Sequence, residues 1–279
     1  PPTTITIKSP ASAYRFLFPT GGFNNSLFSS IHLCKLKGAL NDIINRFVNS
    51  AIYTNLAIFG LMDLDLLGKN ALVCGSTQGI GKKTAIALAK MGANIYLLAR
   101  NEKKLKEVTL ELENSKGQKH NYLCADFADL NSIKKASKQL EGKNIHILIN
   151  NTGGPPGGPI TSADINEFEK AFQMHLVCNQ ILSQSVMKSM KKAGYGRIVN
   201  VISTSVKVPI NGLGVSNTVR GAVASWAKTM ANELAQYGIT VNNVLPGFTN
   251  TNRLKSLISK KAEVQKVSEE HVANVMLSS

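Results

Sequence analysis

Gly75, Gly79 and Gly81 stand in Cys74-Gly75-Ser76-Thr77-Gln78-Gly79-Ile80-Gly81. The apolar run Ala71-Leu72-Val73 precedes this loop, and Ile80, Ala85, Ile86, Leu88, Ala89 and Met91 follow at helical spacing. Residues without a Cβ let a backbone close on a bulky anion, and the N-terminus of the following helix offers it free N–H groups and partial positive charge. The loop reads as a phosphate cradle, with Gly75, Ser76, Gly79, Ile80 and Gly81 as candidate contacts.

The elements that must position this loop follow from periodicity. Strands are predicted near 70–74, 94–99, 120–124, 145–150, 196–202 and 239–244, and helices near 79–92, 102–115, 129–141, 164–192 and 216–237. Strand and helix alternate, which predicts an α/β fold: a Rossmann-like, doubly wound parallel sheet with helices on both faces. The cluster Gly153-Gly154-Pro155-Pro156-Gly157-Gly158-Pro159 follows the fourth strand. Ligands bind beyond the carboxyl ends of such strands, so this cluster should border the site.

Composition narrows the function classes. The chain has 279 residues, 43% of them hydrophobic and 18% charged, an ordinary globular balance. Its formal charge of +15 is scattered over pairs such as Lys82-Lys83 and Lys191-Lys192, without aromatic interleaving, so anionic small ligands account for it at least as well as nucleic acid. Cys34, Cys74, Cys124 and Cys178 show no metal-ligand or redox spacing, which points to no metal and a reducing compartment. No apolar run is long enough for a membrane span. Residues 1–61 contain no Met and one acidic residue, Asp42. They read as a non-core leader or upstream segment ahead of a natural start at Met62, with 62–279 as the dinucleotide-binding and catalytic domain. An organellar transit peptide is the rival reading. A cytoplasmic location is expected, or an organellar one if that rival holds.

Several segments together resemble the short-chain dehydrogenase/reductase family, in its 3-oxoacyl-acyl-carrier-protein reductase-like branch. They are the glycine loop, Asp126, Asn150-Asn151-Thr152-Gly153, Gly196-Arg197-Ile198-Val199-Asn200 and Ile239-Thr240-Val241-Asn242-Asn243-Val244-Leu245-Pro246-Gly247. The resemblance covers about residues 62–255. It implies that Asp126 hydrogen-bonds an adenine, with a helix N-cap before Leu130 as the alternative. It also implies that Asn151 and Gly153 border the cofactor, and that Pro246, Gly247 and Thr249 lie against a nicotinamide. Asn150 and Asn151 end a buried strand, where side-chain amides can also tie neighbouring strands together. Arg100 follows the second strand, where a guanidinium would pair with the 2′-phosphate of NADP rather than the 2′-hydroxyl of NAD. NADP(H) is the expected cofactor.

The catalytic residues depart from the family pattern of Ser, Tyr and a Lys four residues later. Ser203 matches the serine, but the Tyr-x-x-x-Lys interval falls on Ser216-Asn217-Thr218-Val219-Arg220, and the family's helical Asn is replaced by His175. An aliphatic hydroxyl is a far weaker acid than a phenol, and Arg cannot relay a proton as Lys can. Without general acid catalysis a loss of about 10²- to 10⁴-fold is expected. One scheme has Ser203 orienting the carbonyl, Ser216 bridging and Arg220 holding the ribose, while His175, with a reference pKa near 6.5, or water supplies the proton. A packed histidine is the alternative for His175.

The expected activity is NADP(H)-dependent reduction of a carbonyl such as a 3-oxoacyl thioester. The alternative is a catalytically impaired NADP-binding sensor or assembly subunit. Residues 253–274 are helix-like and read as lid or substrate-pocket material, and the family's last strand has no candidate before Ser279, so a C-terminally incomplete fragment is expected, or a protein that lost its edge strand. The resemblance implies pairing of the helices near 164–192 and 216–237 into a homodimer or homotetramer. The expected partner is otherwise a small-molecule carbonyl or alcohol, with no nucleic acid and no membrane.

Overall fold

The computed structural model describes residues 4–9, 12–17 and 64–278. The chain divides into two units, Pro1–Asp63 and Leu64–Ser279. In the first, β1 (Thr4–Ser9) pairs antiparallel with β2 (Ser12–Leu17). The readings made for most of residues 1–61, for Cys34 and for Met62 as a start lie outside the described residues.

The second unit is built on six parallel strands in the order β5-β4-β3-β6-β7-β8. They are β3 (Asn70–Cys74), β4 (Asn94–Ala99), β5 (Asn121–Cys124), β6 (Ile145–Asn150), β7 (Gly196–Val201) and β8 (Ile239–Val244). The expected strands are all present, with ends shifted by no more than one residue. Ala71 to Cys74 are all fully buried because helices cover both sheet faces. Side-chain alternation sorts them: Ala71 and Val73 pack with Ala85, Ala89, Leu105 and Val108, whereas Leu72 and Cys74 join Leu182, Val186 and Met190. Thus α1 (Gly79–Lys90) and α2 (Glu102–Leu110) cover one face. The other is covered by α3 (Leu130–Gln139), α5 (Cys178–Ala193) and α6 (Gly214–Leu234).

The chain moves outward from β3 through β4 to β5, then crosses back to β6 and moves the other way. That reversal opens a crevice at the carboxyl ends of β3 and β6. Two departures from the expected helices matter. The second helix stops at Leu110, before the turn-forming Asn114-Ser115-Lys116-Gly117. The helix expected over 164–192 is interrupted: α4 (Ile165–Phe172) passes through one π turn, Gln173–Val177, into α5. Beyond β8 lie α7 (Asn252–Gln265) and α8 (Glu269–Ser278), in the helix-like segment. Among the described residues no strand pairs with the outer edge of β8.

Candidate active site

A cleft of about 610 Å³ opens at the crevice, with Gly75, Gly79, Arg100, Asp126, Ser216 and Arg220 in its wall. Gly75 and Gly79 have φ of 56° and 55°, in the left-handed region that favours glycine. A Cβ at Gly75 would stand 2.7 Å from the Asn151 side-chain nitrogen and carbonyl oxygen, and one at Gly81 would overlap the Gly75 carbonyl. Gln78 sits at the N-cap of α1 without a side-chain capping bond, which leaves first-turn N–H groups for an anion. Ile80 also lines the cleft, but Ser76 and Gly81 do not. Ser76 is fully buried with its hydroxyl 3.4 Å from the Leu98 carbonyl, and Gly81 permits the close approach of helix to loop. These two shape the cradle rather than line it.

The strand ends are tied by amides. Asn151 Nδ2 donates to the carbonyls of Cys74 (3.1 Å) and Gly75 (3.3 Å), clamping the loop from the side of β6. Asn150, Asn200 and Asn243 stand in register on β6, β7 and β8 and form a ladder, Asn150 Nδ2 to Asn200 Oδ1 at 2.9 Å and Asn200 Nδ2 to Asn243 Oδ1 at 3.0 Å. Gly153, Pro246, Gly247 and Thr249 all line the cleft. Thr251 does too, and its hydroxyl accepts from Leu254 N as the N-cap of α7.

Arg100 is exposed at the end of β4, and none of the ion pairs among the described residues engages it. The N-cap alternative for Asp126 does not hold, because Asp129 caps α3 by accepting from Asn131 N at 2.9 Å. Asp126 instead accepts from Ala128 N at 3.0 Å and borders the cleft.

The proposed catalytic residues separate. Ser216 and Arg220 share the cleft wall one helical turn apart on α6. Arg220 Nη1 donates to the Val201 carbonyl at 2.9 Å, and burial draws its guanidinium down to about 10. Ser203 is half-buried and is not part of the wall; its hydroxyl accepts from Ser205 N at 3.1 Å. His175 lies in the π turn, 2% exposed and outside the wall. Burial first, then the nearby Arg220 charge, lowers its pKa to about 3. The near-neutral acidity on which its part as a proton donor rested is absent, since a dry site disfavours the imidazolium. Burial likewise pushes the Cys74 and Cys178 thiols up to about 12.

Sequence reasoning missed an apolar wall of Met174, Ile210, Leu213, Phe248, Leu254 and Leu257. It comes from the π turn, the approach to α6 and the segment around α7, which no single periodicity connects.

The family model for short chain dehydrogenase matches residues 69–262, spanning all six strands of the sheet. The chain belongs to the short-chain dehydrogenase family. A 3-oxoacyl-[acyl-carrier-protein] reductase of Aquifex aeolicus is 29% identical over 228 residues, covering 77% of this chain and 91% of that protein. Among solved structures, a Beutenbergia cavernae protein assigned provisionally as an NAD(P)-dependent gluconate 5-dehydrogenase, with NADP bound at low occupancy, is 25% identical, with a TM-score of 0.67 over 74% of this chain and 82% of that one. L-sorbose reductase from Gluconobacter frateurii, complexed with NADPH and L-sorbose, is also 25% identical, with a TM-score of 0.67 over 72% and 78%. No helix among the described residues of this short-chain dehydrogenase is long and apolar enough to cross a membrane.

Proposed function

We propose that this short-chain dehydrogenase uses NADP(H) to reduce a carbonyl, with a 3-oxoacyl thioester as the reference substrate. The carrying observation is the single cleft that joins the glycine cradle, an unpaired Arg100 and the Ser216–Arg220 pair. The NADP-bound and NADPH-bound relatives support the choice of cofactor, and the Aquifex relative supports the thioester. The first turn of α1 holds the pyrophosphate, Arg100 the 2′-phosphate and Asp126 the adenine. Asn151, Gly153, Pro246, Gly247 and Thr249 border the nicotinamide end, and Arg220 reaches the ribose. When bound, the dinucleotide supplies the hydride.

Ser216, in the cleft wall, passes a proton to the carbonyl oxygen from water, and Ser203, whose hydroxyl lies outside the wall against Ser205 N, orients the carbonyl only once that contact is exchanged for the substrate. His175 acts as a positioning residue: a neutral imidazole beneath the cleft that packs the π turn beside Arg220. The subunits pair through α4 to α6, where Ile165 and Phe172 remain 70% and 44% exposed. Subunit mass in solution tests that pairing. The site of action is the cytoplasm, or an organelle if residues 1–61 are a transit peptide.

A second reading, an NADP-binding sensor, is favoured by one observation. Among the described lining residues the titratable side chains are Arg100, Asp126 and Arg220, so none supplies an acid near neutrality. NADPH consumption against a panel of carbonyl compounds separates the two. Turnover supports the reductase; saturable NADPH binding with no turnover on any compound supports the sensor.

A further inference from the structure

Among the described residues Arg220 is a cation without an ion-pair partner. Its guanidinium carries five N–H donors. Among the described residues its side chain makes one hydrogen bond, to the uncharged Val201 carbonyl, and no ion pair. Desolvation draws its pKa down, and among the described residues no carboxylate forms an ion pair with it. Its neighbours do not help. His175 is uncharged and its Nε2 has no partner, and Ser216 one turn away bears a hydroxyl that does not ionise. Arg220 is half-buried in the cleft wall, and a partly desolvated guanidinium held by one neutral acceptor is completed by an anion or further acceptors.

The anions of a bound dinucleotide have other receptors in this cleft, the first turn of α1 and Arg100. A ribose hydroxyl can accept from Arg220 but brings no negative charge. The cleft wall also carries the apolar side chains of Met174, Ile210, Leu213 and Leu257, and among its described residues Arg100 and Arg220 are the two cations. With Arg100 engaged by the dinucleotide, an anion arriving there has one cationic partner, and a guanidinium fork matches a carboxylate with two parallel bonds.

We propose that Arg220 is the receptor for a substrate carboxylate, so that the preferred substrate is a small 2- or 3-oxo acid whose carboxylate lies one or two carbons from the reducible carbonyl. This rests on the reductase reading and puts the free acid in place of the neutral thioester as the preferred substrate. The reaction balances with the stated cofactor. NADPH gives a hydride to the carbonyl carbon, water gives a proton to the carbonyl oxygen, and the products are NADP⁺, the hydroxy acid and hydroxide. The carboxylate itself is unchanged and serves to anchor the molecule.

The test uses the full chain loaded with NADPH, and compares 2-oxobutanoate and 3-oxobutanoate with their methyl esters. The expected result is kcat/KM for an acid exceeding that for its ester by about tenfold or more, mainly through KM, the worth of one charge-assisted pair. At saturating NADPH, Arg220→Met should abolish that preference: loss of the ribose contact lowers turnover of both compounds, and the acid falls by about tenfold more than the ester, while Arg220→Lys, a point charge without the fork, falls between. Equal turnover of acid and ester by the unaltered protein overturns the proposal and leaves the reductase reading standing. Calorimetry with oxamate, an unreducible analogue of a 2-oxo acid, separates the two ideas. Oxamate binding that requires Arg220, without turnover of any probe, keeps the anion site and refutes the reductase. Absence of oxamate binding together with absence of any acid preference refutes the anion site.

Discussion

Acidification should unfold this protein through His175, and His175→Asn is the perturbation that isolates the effect. Folded, the imidazole titrates at about 3, against 6.5 when unfolded. Below the unfolded value the unfolded chain binds a proton that the folded chain refuses. Stability from this group is therefore complete above about pH 6.5 and is lost as pH falls towards 3. Each pH unit in that window costs about 1.4 kcal/mol, so by pH 4.5 the native state gives up roughly 3 kcal/mol. Asn fills a similar space and does not titrate. Urea unfolding at a series of pH values should then give curves for wild type and His175→Asn that converge as pH falls, the gap changing by that amount. Other acid-sensitive groups titrate in both proteins and cancel, including His146, which burial and Lys69 also push down. A gap that stays constant from pH 7 to 4.5 would refute the claim that His175 is buried neutral. It would also restore the histidine as a candidate proton donor.

Three further outcomes are expected. Arg100→Ala should weaken NADPH binding about 10- to 100-fold while leaving NADH unchanged, as read by titration calorimetry, because only NADPH carries the 2′-phosphate. Asn200→Ala removes the middle of the amide ladder and strands the Asn150 and Asn243 side chains. It should cost roughly 3 kcal/mol, seen as a lower urea midpoint at unchanged slope. Gly81→Ala places a methyl group into the Gly75 carbonyl. The displaced loop should lower Tm, equivalent to about 1–3 kcal/mol, and reduce NADPH affinity in the same variant.

The sequence by itself determined the framework of this protein. Alternating apolar strands and amphipathic helices demand a covered parallel sheet, and glycines between strand and helix demand a close backbone approach. Both are local rules, so β3, the loop at Gly75 and α1 could be read from consecutive residues. The ends of β6, β7 and β8 were legible in part: Asn150 could be seen as a strand tie, but its partners Asn200 and Asn243 are set by register. The tertiary structure alone decided the chemistry of the inner site. Ser203, His175, Ser216 and Arg220 come from three separate segments, and whether each faces the cleft depends on a cap, a π turn and the rotation of α6. Only packing could show that His175 is buried and uncharged, or that Arg220 is half-buried beside the cleft with one neutral partner among the described residues. Acidity depends on surrounding water and charge, and those belong to the folded neighbourhood rather than to the residue type.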